Sequence, residues 1–262
     1  MIRNLIGLCC ALLCILTSCS SKSKNGFKVA ATPVPHAQML EFVKPDLKQQ
    51  GIDLEIIVTE DYNMPNRALS DGEIEANFFQ HIPFLDEQIK QFNYQIESIA
   101  KVEIEPMGIY SKKVKNLAAL KPNAVIAVPN DPTNEARALL LFHQQGLISL
   151  EDPSNLQSTI LNISKNPRNF KFIEVDAAML PRSLEDVDAA AINTNYALEA
   201  GLNPMKDALA IEGRDSPYAN VIVVRIGDEN RKDIQALKAA MTSEKMRQFI
   251  LQKYKGAVLP AF

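Results

Sequence analysis

From residue 27 onward, apolar positions recur with two alternating periods. "FKVAATP" (27–33), "IDLEIIVT" (52–59) and "EIEANFF" (73–79) read as strands. Between them the spacing changes to that of helices. In "PHAQMLEFVKPDLKQQG" (35–51), Met39, Leu40, Val43 and Leu47 fall on one face, with a kink expected at Pro45 and a stop at Gly51. "NMPNRALSDG" (63–72) reads as a short helix, and "HIPFLDEQIKQFN" (81–93) as a longer one placing Phe84, Leu85, Ile89 and Phe92 on one side. The alternation predicts a parallel, helix-covered sheet. Residues 94–112 break it, being extended throughout and interrupted by Pro106 and Gly108, as a segment crossing from one lobe to another would be. The alternation restarts with "NAVIAVPND" (123–131), its helix, "FKFIEVD" (170–176), a short helix through Arg182, "VDAAAIN" (187–193) and "NYALEAGL" (195–202). A second extended stretch, 219–227, precedes two helices marked by Ile234, Leu237 and Met241 and by Met246, Phe249, Ile250 and Tyr254. The fold class expected is α/β, with two hinged lobes and a cleft between them. Lobe one spans about 27–106 plus 220–262, and lobe two about 107–219.

The first residues follow different rules. Arg3 gives a positive start, Leu5 to Leu16 carries no charge, and Leu16-Thr17-Ser18-Cys19 closes the run. The run is too short to cross a bilayer, so 1–18 reads as a signal peptide. A leucine, two small residues and a cysteine resemble the bacterial lipobox, which implies cleavage before Cys19, lipidation of its thiol and retention at a membrane of the cell envelope. The alternative is an ordinary secretory signal with an incidental cysteine. Residues 19–26 then form a short polar tether. Cys9, Cys10 and Cys14 lie in the removed segment, so the mature chain keeps one cysteine and no internal disulfide. Such a protein rests on its core, and 47% hydrophobic residues supply one. A net charge of −3 argues against a nucleic-acid partner, which wants a basic face.

Enzyme signatures are missing from the sequence: it has no G-x-S-x-G elbow, no phosphate loop, no H-E-x-x-H and no Rossmann glycine pattern. His36, His81 and His143 fall in three different elements, and their spacing points to no metal site. Neither catalysis nor a cofactor is expected. Binding is better supported, because polar and aromatic residues sit where strands end: Tyr62, then Phe79, His81 and Phe84, then Arg137, then Asn193. Open α/β sheets take their ligands at those ends. Singly, the three aromatic residues also read as core, His81 as a helix cap and Asn193 as a turn residue. Arg137 is the most telling. Asp131 and Pro132 make an N-cap and first helical residue after the strand at 126–128, which places Arg137 one turn inside the helix on an otherwise apolar face.

"AATPVPHAQMLEFVKPDL", "ANFFQHIPFLDEQ", "EPMGIYSKK", "IAVPNDPTNEARALLL", "LPRSLEDVDAAAINTNYALEAGL", "DSPYANVIVVR" and "YKGAVLPAF" resemble the methionine-binding lipoproteins of bacterial ABC importers, the NlpA family. The resemblance runs from about Phe27 to Phe262. It implies a periplasmic-binding-protein fold of two α/β lobes with a hinge, a monomer held to the membrane through lipid on Cys19, and delivery of L-methionine to a permease with its ATPase. It implies ligand contacts at Tyr62, Phe79, His81, Phe84, Arg137, Asn193 and Asn220. Many members carry tyrosine where this chain has Phe84. Other ligands in the same class are D-methionine, a methionyl dipeptide or another apolar amino acid; a surface scaffold and a hydrolase using His81 and an acid are the readings outside it. The chemistry of an amino acid fits these residues. A guanidinium suits a carboxylate, asparagines serve either end of the polar head, and aromatic faces pack on a thioether.

Overall fold

The computed structural model describes residues 26–213 and 216–262. The expected signal peptide, Cys19 and the tether up to residue 25 therefore lie outside the described residues. No helix among the described residues is long and apolar enough to cross a membrane.

The strands form two larger sheets. The first runs in the spatial order Leu259–Pro260, Ile96–Ile104, Ala219–Arg225, Ala76–His81, Phe27–Ala31 and Leu54–Val58. The second runs Ala210–Ile211, Gly108–Tyr110, Ala189–Ile192, Val125–Pro129 and Lys171–Val175. Both are covered on two faces, which is why their strands read as nearly continuous apolar runs. In the first, Val29, Ala31, Ile222 and Val224 enter one core while Ala30, Val221 and Val223 enter another. In the second, Ile126 and Val128 face one core and Ala127 the other. Side chains alternate across a strand, so each strand serves two cores.

The parallel expectation needs a correction. Phe27–Ala31 pairs parallel with both neighbours, and Val125–Pro129 does the same. The crossing strands pair antiparallel: Ala219–Arg225 with its two neighbours, and Gly108–Tyr110 with Ala189–Ile192. An extended run that changes sheets instead of returning through a helix has no crossover to make it parallel.

The chain passes between sheets at residues 105–107; it leaves the second sheet again after Ile211 and rejoins the first at Ala219. The two crossings are bonded to each other: the Met107 N–H donates to Glu212 Oε2 at 2.8 Å, and the Glu212 N–H to the Met107 carbonyl at 2.9 Å. Helix ends follow the residues that cap them. Gly51 takes a φ of +79° just past Gln38–Gln49, a conformation glycine adopts without strain. That helix runs on with Pro45 inside it, and Pro33–Ala37 leads directly into it through a kink at Val34, whose φ of −135° and ψ of 130° are not helical. In the helix Ile82–Phe92, Phe84 and Leu85 are buried, whereas Phe92 is 50% exposed and stacks on Tyr94 instead of joining the core.

Candidate functional site

The six residues expected at strand ends, and Asn220, which the resemblance implied, line one cavity between the sheets. Each arrives there for a local reason. Asp131 caps the helix Pro132–Gln144 by accepting the Asn134 N–H at 3.0 Å, with Pro132 in the first turn. That start aims Arg137, only 3% exposed, back at the crossing segments. Asn220 sits in the middle of the first sheet, opposite His81 on one side and Glu103 on the other.

Arg137 carries the main difference from expectation. Its Nε and Nη2 donate to the two carboxylate oxygens of Glu212 at 2.9 and 2.6 Å, and Nη2 also donates to the Glu105 carbonyl at 2.6 Å. The Tyr218 ring lies under the guanidinium, 4.4 Å from the ring centre. One two-pronged edge is therefore held by an internal carboxylate. Glu135, two residues before Arg137 on the same helix, is not its partner. Glu135 instead accepts the Ile160 N–H at 2.8 Å, and burial pushes its carboxyl up to about 7.

His81 combines both roles open to it. Its Nδ1 accepts the Phe84 N–H at 3.1 Å, capping the helix that follows. Its Nε2 lies 3.1 Å from Asn134 Oδ1, an oxygen that also accepts from Asn193 Nδ2 at 2.8 Å. These partners require a neutral ring protonated at Nε2. Burial, with the Arg137 charge, lowers its pKa from 6.5 to about 3. The unfolded chain therefore takes up this proton first, and the stability due to neutral His81 is lost as pH falls from about 6.5 toward about 3. Glu105 and Asp131, whose carboxyls burial pushes up, act with the opposite sign, losing stability as pH rises. The wild-type slope is thus a sum. Melting temperatures across acid pH for wild type and His81→Gln isolate the histidine: the variant should fall less steeply, and parallel curves would contradict the assignment.

An aromatic wall stands beside this polar row. Ring centres of Tyr62, Phe79 and Phe84 lie 5.8–6.1 Å apart, the spacing of attractive edge and tilted pairs. The Tyr62 hydroxyl donates across the cleft to Asn195 Oδ1 at 2.6 Å, and Tyr196 donates to the Glu60 carbonyl at 2.9 Å. Sequence reading missed Asn134, Asn195, Glu105 and Glu212. Asn134 lies next to the capping signal and was within reach; the other three show no local pattern. Two of the lining side chains keep buried atoms without a hydrogen bond among the described residues, Asn193 Oδ1 and Asn195 Nδ2. Left dry, such groups are costly.

His36 is brought together with Glu103 and Glu105, which the spacing of histidines did not suggest. Among the described residues these three alone are close enough to share an ion, but they are hydrogen-bonded to one another. His36 Nε2 lies 3.2 and 3.1 Å from the two carboxylates, and Asn220 Nδ2 donates to the same oxygens at 2.7 and 3.1 Å.

A family model described as NlpA lipoprotein matches residues 27–262. The chain belongs to the NlpA lipoprotein family. It is 41% identical over 241 residues to the D-methionine-binding lipoprotein MetQ of Salmonella typhi, a match covering 91% of this chain and 89% of that protein. Among solved structures it is similar to a nutrient binding protein from Burkholderia cenocepacia bound to methionine, with 44% identity and a TM-score of 0.87 over 90% of this chain and 100% of that one. It is likewise similar to an ABC transporter periplasmic substrate-binding protein from Coxiella burnetii, with 46% identity and a TM-score of 0.85 over 89% of this chain and 99% of that one. In this NlpA member the crossings that join the two sheets bring Glu105 to the cavity and Glu212 to Arg137.

Proposed function

We propose that this NlpA-family protein is a lipid-anchored solute-binding protein that captures methionine and hands it to an ABC importer. The observation that carries the reading is the enclosed cavity. One cation, Arg137, and one carboxylate, Glu105, both line it, together with an aromatic wall of Tyr62, Phe79 and Phe84. A zwitterion with a thioether side chain matches each part: carboxylate at Arg137, sulfur against the rings, the remaining polar atoms at Asn193, Asn195 and Asn220. Charge-assisted bonds of about 1.5–3 kcal/mol each, with burial of the side chain, are enough for micromolar-to-nanomolar binding, about 8–12 kcal/mol.

The relatives' names support methionine and an importer. They also include D-methionine, so the preference for L-methionine drawn from the sequence has a direct rival. Native mass spectrometry of protein purified without added ligand tests the reading: a bound mass equal to methionine supports it, and a different bound amino acid or dipeptide replaces it. Chiral analysis of the released ligand then separates the enantiomers.

Two parts of the reading are tested separately. Envelope anchoring rests on "LTSC" at 16–19, so a Cys19→Ala variant should leave the membrane fraction; unchanged membrane retention would contradict it. Closure rests on the bonds that Tyr62, His81 and Tyr196 make across the cleft. Small-angle scattering should show compaction when methionine is added to ligand-free protein. An unchanged radius at saturation would rule out a hinge at the two crossings.

A further inference from the structure

We propose that the short helix Thr194–Glu199 is a clasp that holds the two lobes closed on a bound ligand, and that Tyr196 and Leu198, two side chains outside the cavity, set how long the ligand stays. This rests on the reading of the cleft as a methionine site and concerns release, not recognition. The helix belongs to the second lobe, following directly on the strand Ala189–Ile192. That lobe holds one side of it, where the Tyr196 ring and Ala197 join a buried cluster with Leu180, Leu184 and Ile192. The other side faces the first lobe.

Four of its residues reach the first crossing or the first lobe. The Thr194 hydroxyl donates to the Pro106 carbonyl at 2.6 Å, which ties the helix start to the crossing. Asn195 Oδ1 accepts the Tyr62 hydroxyl at 2.6 Å. The Tyr196 hydroxyl donates to the Glu60 carbonyl at 2.9 Å, and its ring centre lies 5.0 Å from that of Tyr62. Leu198 packs against the core cluster of the first lobe, where the helix meets Pro33–Ala37. The segment that receives Tyr196 is itself fixed to its lobe. The Thr59 N–H donates to the Ala31 carbonyl at 3.0 Å, and Asp61 Oδ1 accepts the N–H groups of Asn63 and Met64 at 2.7 and 2.9 Å. Residues 59–64 thus form a firm lip for the clasp to close on.

These contacts fall into two groups. Tyr62, Thr194 and Asn195 line the ligand cavity, whereas Glu60, Tyr196 and Leu198 lie outside it. Replacing a lining residue alters ligand contact and closure together, but Tyr196 and Leu198 act on closure alone. A ligand enclosed between two lobes leaves only after they part, so every contact broken on parting slows release. Loss of such a contact shifts the balance from closed toward open by the same factor whatever the ligand, since that contact does not distinguish one ligand from another. A neutral hydrogen bond and a partly buried leucine are each small contributions. A clasp built from several of them holds the ligand and still lets it go.

The test uses the full mature chain freed of copurified ligand, as wild type, Tyr196→Phe and Leu198→Ala, each shown folded by a cooperative melt. A chase of bound radiolabelled methionine with unlabelled methionine gives koff, titration calorimetry gives Kd, and their quotient gives kon. Tyr196→Phe should raise koff about 2- to 12-fold, the worth of one neutral hydrogen bond, and Leu198→Ala should raise it by a similar factor. The association rate should stay within about twofold of wild type. Kd should rise by the same factor for every ligand the wild type binds, either enantiomer of methionine included, because neither side chain lines the cavity. An unchanged koff in either folded variant, or a shift in the ratio of affinities between ligands, overturns the clasp and leaves the methionine reading intact. Absence of methionine binding by folded wild type overturns that reading and this inference with it.

Discussion

Arg137→Ala should weaken methionine binding by a few hundred-fold or more. Removing one partner of a buried ion pair costs about 3–5 kcal/mol because the other charge is left uncompensated, and here a carboxylate enclosed between two lobes would lose its cation. Arg137 is 3% exposed and packs on Tyr218, so little water can replace it. Arg137→Lys should recover only part of the loss. A point charge on a flexible stem cannot keep Glu212 on one edge and the Glu105 carbonyl on Nη2 and still meet a ligand carboxylate. Titration of both variants with methionine decides the matter, with melts to show that each is folded. A folded Arg137→Ala protein binding within about threefold of wild type, under ~0.7 kcal/mol, would leave Arg137 as a purely structural residue.

Glu212→Gln should instead act first on stability. Glu212 pairs with Arg137, accepts the Met107 N–H and leaves its own N–H on the Met107 carbonyl, so it locks the two crossings together through one carboxylate. Glutamine keeps the shape and one acceptor but removes the charge. Breaking such a pair costs about 3 kcal/mol at the low end of the buried range, and the Glu212 side chain, 9% exposed, belongs at that end. For a chain of this size the melting temperature should fall by roughly 6–12 °C. A fall under about 2 °C would mean that the pair contributes no more than an exposed one. Methionine should partly restore the loss, since its carboxylate offers Arg137 a second anion.

How far the site could be read in the sequence depended on whether each residue's reason is local. Arg137 was legible because Asp131 and Pro132 fix the helix start six and five residues earlier, and a helix start after a buried strand aims its first turn at the ligand end of the sheet. His81 was legible for the same reason, as a cap with a second nitrogen to spare. Glu212 was not, because its partner lies 75 residues away and the segment around it shows no period. Nor was the His36–Glu103–Glu105 group, whose members come from a turn of helix and a crossing strand that pair only once the sheet has formed. The fold divides along the same line. The apolar runs at 27–31, 125–129 and 219–225 announce strands, but their spatial order does not follow from chain order. Strands of two or three residues, such as Ala210–Ile211 and Leu259–Pro260, are too short to carry any alternation. Phe92 shows the limit of helical spacing, since it shares a side with Phe84 and is still 50% exposed, stacked on Tyr94 at the helix end.

The central claim is that the cavity between the two sheets binds methionine. Calorimetric titration of unfolded and refolded protein, freed of any copurified ligand, with L-methionine and D-methionine in parallel measures this directly. We expect one site, with at least one enantiomer bound at micromolar strength or tighter, about 8 kcal/mol or more. No measurable binding of either enantiomer by a protein that has regained its cooperative melt would contradict it.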